Sequence, residues 1–146
     1  MKRRSITLKG FSHGDNPIPA ASRVGPLLIS GAIFGLDLAT GRVPADLEAQ
    51  CANVFTLMRS ILAAGAATIE DVVKVTAYLR PGVQRSVINA EWLRVFPNPE
   101  SRPTRHTIIN PNLPDGQLVQ CDFMAFVGSS EFQALNDPRW STQSHD

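Results

Sequence analysis

The chain has 146 residues, 43% of them hydrophobic and 18% charged, with a formal net charge of +1; this balance is that of an ordinary globular protein with one core. So small a charge argues against a long basic groove for nucleic acid, because phosphate binding scales with the number of Lys and Arg side chains presented together. No apolar run approaches the ~20 residues of a membrane span, and no apolar stretch of the kind found in export signals follows the opening MKRR.

In chain order, ITLKGF reads as an opening strand and is followed by a connector rich in Gly, Pro and Asn. GPLLISGAIF, continuous in its apolar character and bounded by Gly25 and Gly35, suits a buried strand, with Gly31 in its middle removing a side chain where backbone needs exposure. Residues 45 to 66 place Leu47, Cys51, Val54, Met58, Ile61 and Leu62 on one helical stripe, with Asp46 to cap the start and Gly65 the end. VVKVTAYLR is rich in β-branched residues and predicts a strand over 72–80. QRSVINAEWLRVF predicts a second amphipathic helix carrying Ile88, Trp92, Val95 and Phe96, stopped by PNP. Two strands close the pattern, PTRHTIIN and QLVQCDFMAFV, joined by a loop containing PNLPDG. The layout is α+β, with both helices on one face of a mixed sheet, in a single domain over 1–127. Residues 128–146 are polar and read as a tail or an arm on a neighbour.

The last strand alternates between Val119, Cys121, Phe123, Ala125 and Val127, which must face the helices, and Leu118, Gln120, Asp122, Met124 and Phe126. The second face is too apolar for water and too polar for a core. It predicts an interface between copies of the chain, enclosing Gln120 and Asp122. Arg105 and Thr107 share one face of the preceding strand; antiparallel pairing across the loop would bring them to Gln120 and Asp122. Arg105 then either pairs with Asp122 or holds a ligand carboxylate in its planar fork. The sequence leaves both open.

The segments LLISGAIF, GRVPADLEAQCANVFTLMRSILAAGAATIEDVVKVTAYL, NAEWLRVF and RPTRHT, with the LP loop before the last strand, occur in order over most of residues 16 to 127. Together they resemble the RidA family of reactive-intermediate deaminases, also called YjgF. The resemblance implies a chorismate-mutase-like fold, a homotrimer built as a barrel with three ligand clefts between subunits, and hydrolysis of 2-imino and enamino acids without cofactor or metal. Carried over by position, it makes Arg105 the grip on a substrate carboxylate, Ser30 and Gly31 cleft-lining residues, and Asn89 a ligand contact or a brace of the second helix. Thr107 stands where many members have Cys, and Gln120 where many have Glu; no Tyr occupies the stretch around Pro17 and Ile18. A carboxylate can take a proton from attacking water, whereas an amide can only orient it. Proton transfer then falls to Asp122 or to the substrate, or the hydrolysis is slow and assisted by binding alone, or the protein binds a small carboxylate metabolite without turning it over.

The remaining candidates point to structural work. His13, His106 and His145 have no spacing that suggests a metal site, and His106 lies on the strand face opposite Arg105. Ser30 has no His partner to make it a nucleophile. Tyr78 and Trp92 read as core or interface aromatics. Cys51 and Cys121 read as reduced core thiols of a cytoplasmic protein. Endoribonuclease activity, a name long attached to this family, fits poorly with the neutral charge.

Overall fold

The computed structural model describes residues 1–128, so the predicted polar tail lies, apart from Gly128, outside the described residues. Seven strands form one sheet: β1 (Arg4–Ile6), β2 (Ala21–Val24), β3 (Leu27–Ser30), β4 (Ile33–Phe34), β5 (Val72–Leu79), β6 (Thr104–Ile109) and β7 (Val119–Phe126). Two helices, α1 (Leu47–Ala64) and α2 (Arg85–Val95), complete the fold, and a short 3-10 turn over Ile69–Asp71 leads into β5. The α+β layout matches the expectation from sequence.

Helix α1 forms where the apolar stripe predicts it. Asp46 caps its start by accepting from the Ala49 N–H at 2.9 Å, and Gly65 closes its end with its own N–H on the carbonyls of Ile61 and Leu62. Cys51, Val54, Met58, Ile61 and Leu62 are buried against the sheet, where Leu28, Ile33, Val75, Leu79, Val119, Cys121 and Phe123 meet them. Helix α2 lies beside α1 through a ring cluster: Phe55 meets Trp92 and Phe96 edge-on, and the Trp92 and Phe96 rings are 4.6 Å apart.

Strand order across the sheet is β1-β2-β3-β7-β5-β6, with β4 continuing the β3 side of β7. This corrects the expected pairing of the last two strands. Strand β5 lies between them, antiparallel to β7 and parallel to β6. The crossover through α2 is what makes β5 and β6 parallel neighbours, and the long connection from β6 to β7 imposes no hairpin. Strand β2, hidden in the Gly- and Pro-rich connector, was also not expected.

The register assigns faces. Val75 stands opposite both Arg105 and Phe123, and Ala77 opposite both Thr107 and Cys121, so Arg105 and Thr107 lie on the helix side of the sheet. Thr76 stands opposite both His106 and Asp122, and Tyr78 opposite Gln120 and Ile108, so those residues share the other side. That outer face also carries the exposed apolar side chains of Leu27, Ile29, Ile108, Met124 and Phe126.

Candidate functional site

Arg105 lies on β6, the edge strand of the sheet, and its side chain reaches Asn89 and Trp92 of α2. Its Nε donates to Thr107 Oγ1 at 3.0 Å and its Nη2 to Asn89 Oδ1 at 2.6 Å. Its guanidinium carbon sits 4.9 Å from the centre of the Trp92 ring, a cation–π contact. Asn89 and Trp92 are three residues apart on α2 and therefore reach the same point of β6. All of these partners are neutral. Among the described residues Nη1 is buried with no hydrogen-bond partner, and the ion pair found there joins Arg94 to Glu91, not Arg105 to a carboxylate. Burial pushes the Arg105 pKa below the ordinary arginine value, but a guanidinium stays charged at neutral pH. Beside it opens a groove of about 460 Å³ lined by Asn89, Trp92, Leu93, Pro103 and Arg105.

The Arg105–Asp122 ion pair weighed from the sequence is therefore ruled out within one protomer. Adjacent strands lie about 4.8 Å apart, which puts β6 and β7 roughly 10 Å apart with β5 between, and the two side chains leave opposite faces. Asp122 instead faces Thr76, which hydrogen-bonds it, and Lys74; burial outweighs both and raises its pKa above the ordinary aspartate value. Gln120 lies two residues along the same face and donates through Nε2 to Gln117 Oε1 at 3.2 Å. The predicted site residues thus fall into two groups on opposite sides of the sheet: Arg105, Thr107 and Asn89 on the helix side, Gln120 and Asp122 on the outer side.

Ser30 and Gly31 mark the break between β3 and β4. Ile29 stands opposite Met124 and Ile33 opposite Cys121, so the three residues Ser30 to Ala32 span two residues of β7, a bulge. Ser30 repairs the ladder there: its Oγ accepts from the Phe123 N–H at 2.9 Å and donates to the Gly31 carbonyl at 2.8 Å. Gly31 gives its N–H to the Ala20 carbonyl at 3.0 Å. A Cβ at Gly31 would come within 3.4 Å of His13 Cε1. His13 Nε2 lies 2.9 Å from the Ala32 carbonyl, which can only accept; Nε2 carries the hydrogen, and Nδ1 is left buried without a partner among the described residues.

Trp92, Gln117 and His13 join the site residues only in three dimensions. Trp92 had a legible signal, since its i,i+3 spacing from Asn89 puts both on one helix face; Gln117 and His13 had none. A wider groove of about 700 Å³ runs along the end of α2, but two of its arginines are already engaged, Arg94 by Glu91 and Arg102 by the Phe96 and Pro97 carbonyls. The thiols are not available to chemistry. Burial raises the Cys51 pKa to about 12 and that of Cys121 further still. Among the described residues no cluster of His, Cys, Asp and Glu is placed to hold a metal ion, and no helix is long and apolar enough to cross a membrane.

Comparison with known proteins places this geometry. The family model described as endoribonuclease L-PSP matches residues 18–127. A RutC family protein of Buchnera aphidicola is 32% identical over 101 residues, covering 68% of this chain and 78% of its own length. Another from Pyrococcus abyssi is 29% identical over 111 residues, covering 75% and 86%. Among solved structures, a putative endoribonuclease of Thermotoga maritima superposes with a TM-score of 0.78 at 25% identity, covering 88% of this chain and all of that one. The YjgF gene product of E. coli gives 0.76 at 21% identity, over 84% and 98%, a likeness of fold. With two helices on one side of a mixed chorismate-mutase-like sheet and a family match that runs to the end of β7, this chain belongs to the endoribonuclease L-PSP family, that is, to the RidA/YjgF proteins.

Proposed function

We propose that the protein hydrolyses reactive 2-imino and enamino acids to 2-keto acids and ammonia in the cytoplasm, in clefts completed by a second copy of the chain in a homotrimer. The observation that carries this reading is Arg105: a half-buried cation held by an amide, a hydroxyl and an indole, with, among the described residues, no carboxylate to neutralise it and one nitrogen left without an acceptor. A buried charge without a counter-ion is costly. A substrate carboxylate would remove that cost while binding bidentately. With the acid group fixed, water adds its oxygen to the electrophilic imine carbon, the C–N bond breaks, and the nitrogen leaves as ammonia. Fixing the geometry of that attack supplies much of the help needed for so reactive a substrate.

Gln120 and Asp122 face away from Arg105 in one protomer, so they can meet a ligand on Arg105 only from a neighbour. The exposed apolar side chains around them on the outer face support such an assembly. Gln120 orients water or the substrate nitrogen. Asp122, with its pKa raised by burial, is the better proton acceptor of the two. Ser30 and Gly31 shape the wall of the cleft from the bulge beside β7, and Thr107 and Asn89 hold the arginine. No cofactor enters the reaction.

The test couples the purified protein to an amino-acid oxidase or a threonine dehydratase and follows decay of the imine. Faster decay that disappears with Arg105→Ala supports the reading. The neutral amide at Gln120 favours a second one, a binder of small carboxylate metabolites: no imine decays faster, yet 2-keto acids raise the melting temperature in an Arg105-dependent way. RNA cleavage that survives both Arg105→Ala and further purification would favour the activity in the family's name instead.

A further inference from the structure

The approach to β7 is held from two sides. Gln50, fully buried in α1, donates to the carbonyls of Pro44 (2.7 Å) and Gly116 (2.8 Å) and accepts from the Leu118 N–H (2.9 Å). Arg80, just past β5, gives its Nε to the Gln117 carbonyl (2.9 Å) and its Nη2 to those of Leu113 (2.8 Å) and Pro114 (2.9 Å). Gln117 is thus fixed through its own carbonyl and through both neighbouring residues. The residue is only 9% exposed, and its side chain accepts from Gln120 Nε2 at 3.2 Å.

That bond orients the amide of Gln120. In a planar amide the NH₂ and the oxygen leave the same carbon in different directions, so tying the NH₂ to Gln117 turns the oxygen away from it. Among the described residues that oxygen accepts no hydrogen bond. We propose that Gln117 is a positioning residue for Gln120, locking its amide so that the face of the cleft built by β7 presents an acceptor oxygen to a ligand N–H or a water O–H. This rests on the reading of Gln120 as a cleft residue. It also specifies the chemistry of that wall: besides the remaining N–H of its NH₂, Gln120 turns an acceptor oxygen toward the ligand, as the N–H of an imine or enamine requires.

The test uses the full chain with uniform ¹⁵N labelling and two substitutions. Gln117→Glu keeps an acceptor and loses the donor; Gln117→Leu keeps the volume and loses both. The expected result in the coupled imine assay is a fall of about tenfold in kcat for Gln117→Leu, with KM little changed because Arg105 still holds the carboxylate, and a rate within about threefold of the unsubstituted protein for Gln117→Glu. The side-chain NH₂ signals of Gln120 should be widely separated in the unsubstituted protein and in Gln117→Glu, and should converge in Gln117→Leu. Melting curves identify a variant that has failed to fold, and the signals of the unsubstituted protein then decide. Gln117→Glu as damaging as Gln117→Leu, or Gln120 signals indifferent to both, would overturn the proposal. If the unsubstituted protein does not accelerate imine decay, the functional reading falls, and the lock is judged on the amide signals alone.

Discussion

Replacing Arg105 with methionine removes the guanidinium but keeps a long side chain to fill the space over Trp92. Two hydrogen bonds are lost, to Asn89 and Thr107, each worth roughly 1.5–3 kcal/mol when one partner is charged. The Trp92 contact adds about 0.5–2 kcal/mol. Against this, the variant no longer has to bury a charge without a counter-ion, which costs several kcal/mol per ion. These terms nearly cancel, so the melting temperature should move by only a few degrees in either direction. Ligand binding has no such offset. Losing one partner of a buried, hydrogen-bonded charge pair costs about 2–5 kcal/mol, so affinity for a 2-keto acid should fall from roughly thirtyfold to several thousandfold. Calorimetric titration with 2-ketobutyrate beside a thermal melt reads both quantities. A variant that loses more than about 3 kcal/mol of stability while keeping its affinity would mean that Arg105 braces α2 against β6 and has no ligand to hold.

Three further outcomes follow from the same structure. Gln50→Leu leaves the Gly116 and Pro44 carbonyls and the Leu118 N–H without their partner; at about 1–3 kcal/mol for an unsatisfied buried group, urea unfolding should show a loss of roughly 3 kcal/mol or more, and a loss below 1 would contradict the role given to it. For Asp122, a folded pKa raised by burial means that the native state favours the protonated acid. The associated stability is fully present below the ordinary aspartate pKa and is lost as pH rises through the raised one. Asp122→Asn should accordingly gain on the unsubstituted protein between about pH 4 and neutrality in a pH series of denaturation curves; a gap that closes over that range would show the carboxylate to be held charged. Ile29→Lys, on the exposed outer face, should convert a trimer to monomers in light scattering and remove ligand binding with it, whereas a monomeric unsubstituted protein that still binds would refute the shared cleft.

Local patterns carried much of the fold in the sequence. The stripe of α1 and its caps at Asp46 and Gly65 depend on contacts within a few residues and were legible to within a residue or two. The alternation of β7 correctly separated a core face from an outer one, because a strand buried on one side must alternate. The neighbour of β6 was not legible. Whether a long loop closes a hairpin or lets β5 slide between two strands is decided by how α2 packs on α1, a contact between distant parts of the chain. This error moved Arg105 away from Asp122 and onto the helix side, where Asn89 and Trp92 hold it. The partner of Gln120 was hidden for a similar reason: Gln117 is only three residues away, but its direction is set by Gln50 and Arg80, 67 and 37 residues distant in sequence.

The most direct measurement is a crystal structure of the protein soaked with 2-ketobutyrate. The predicted result is the carboxylate on the guanidinium of Arg105, in a cleft closed by Gln120 of a neighbouring copy. A ligand bound elsewhere, with Arg105 still contacting only Asn89, Thr107 and Trp92, would contradict the account.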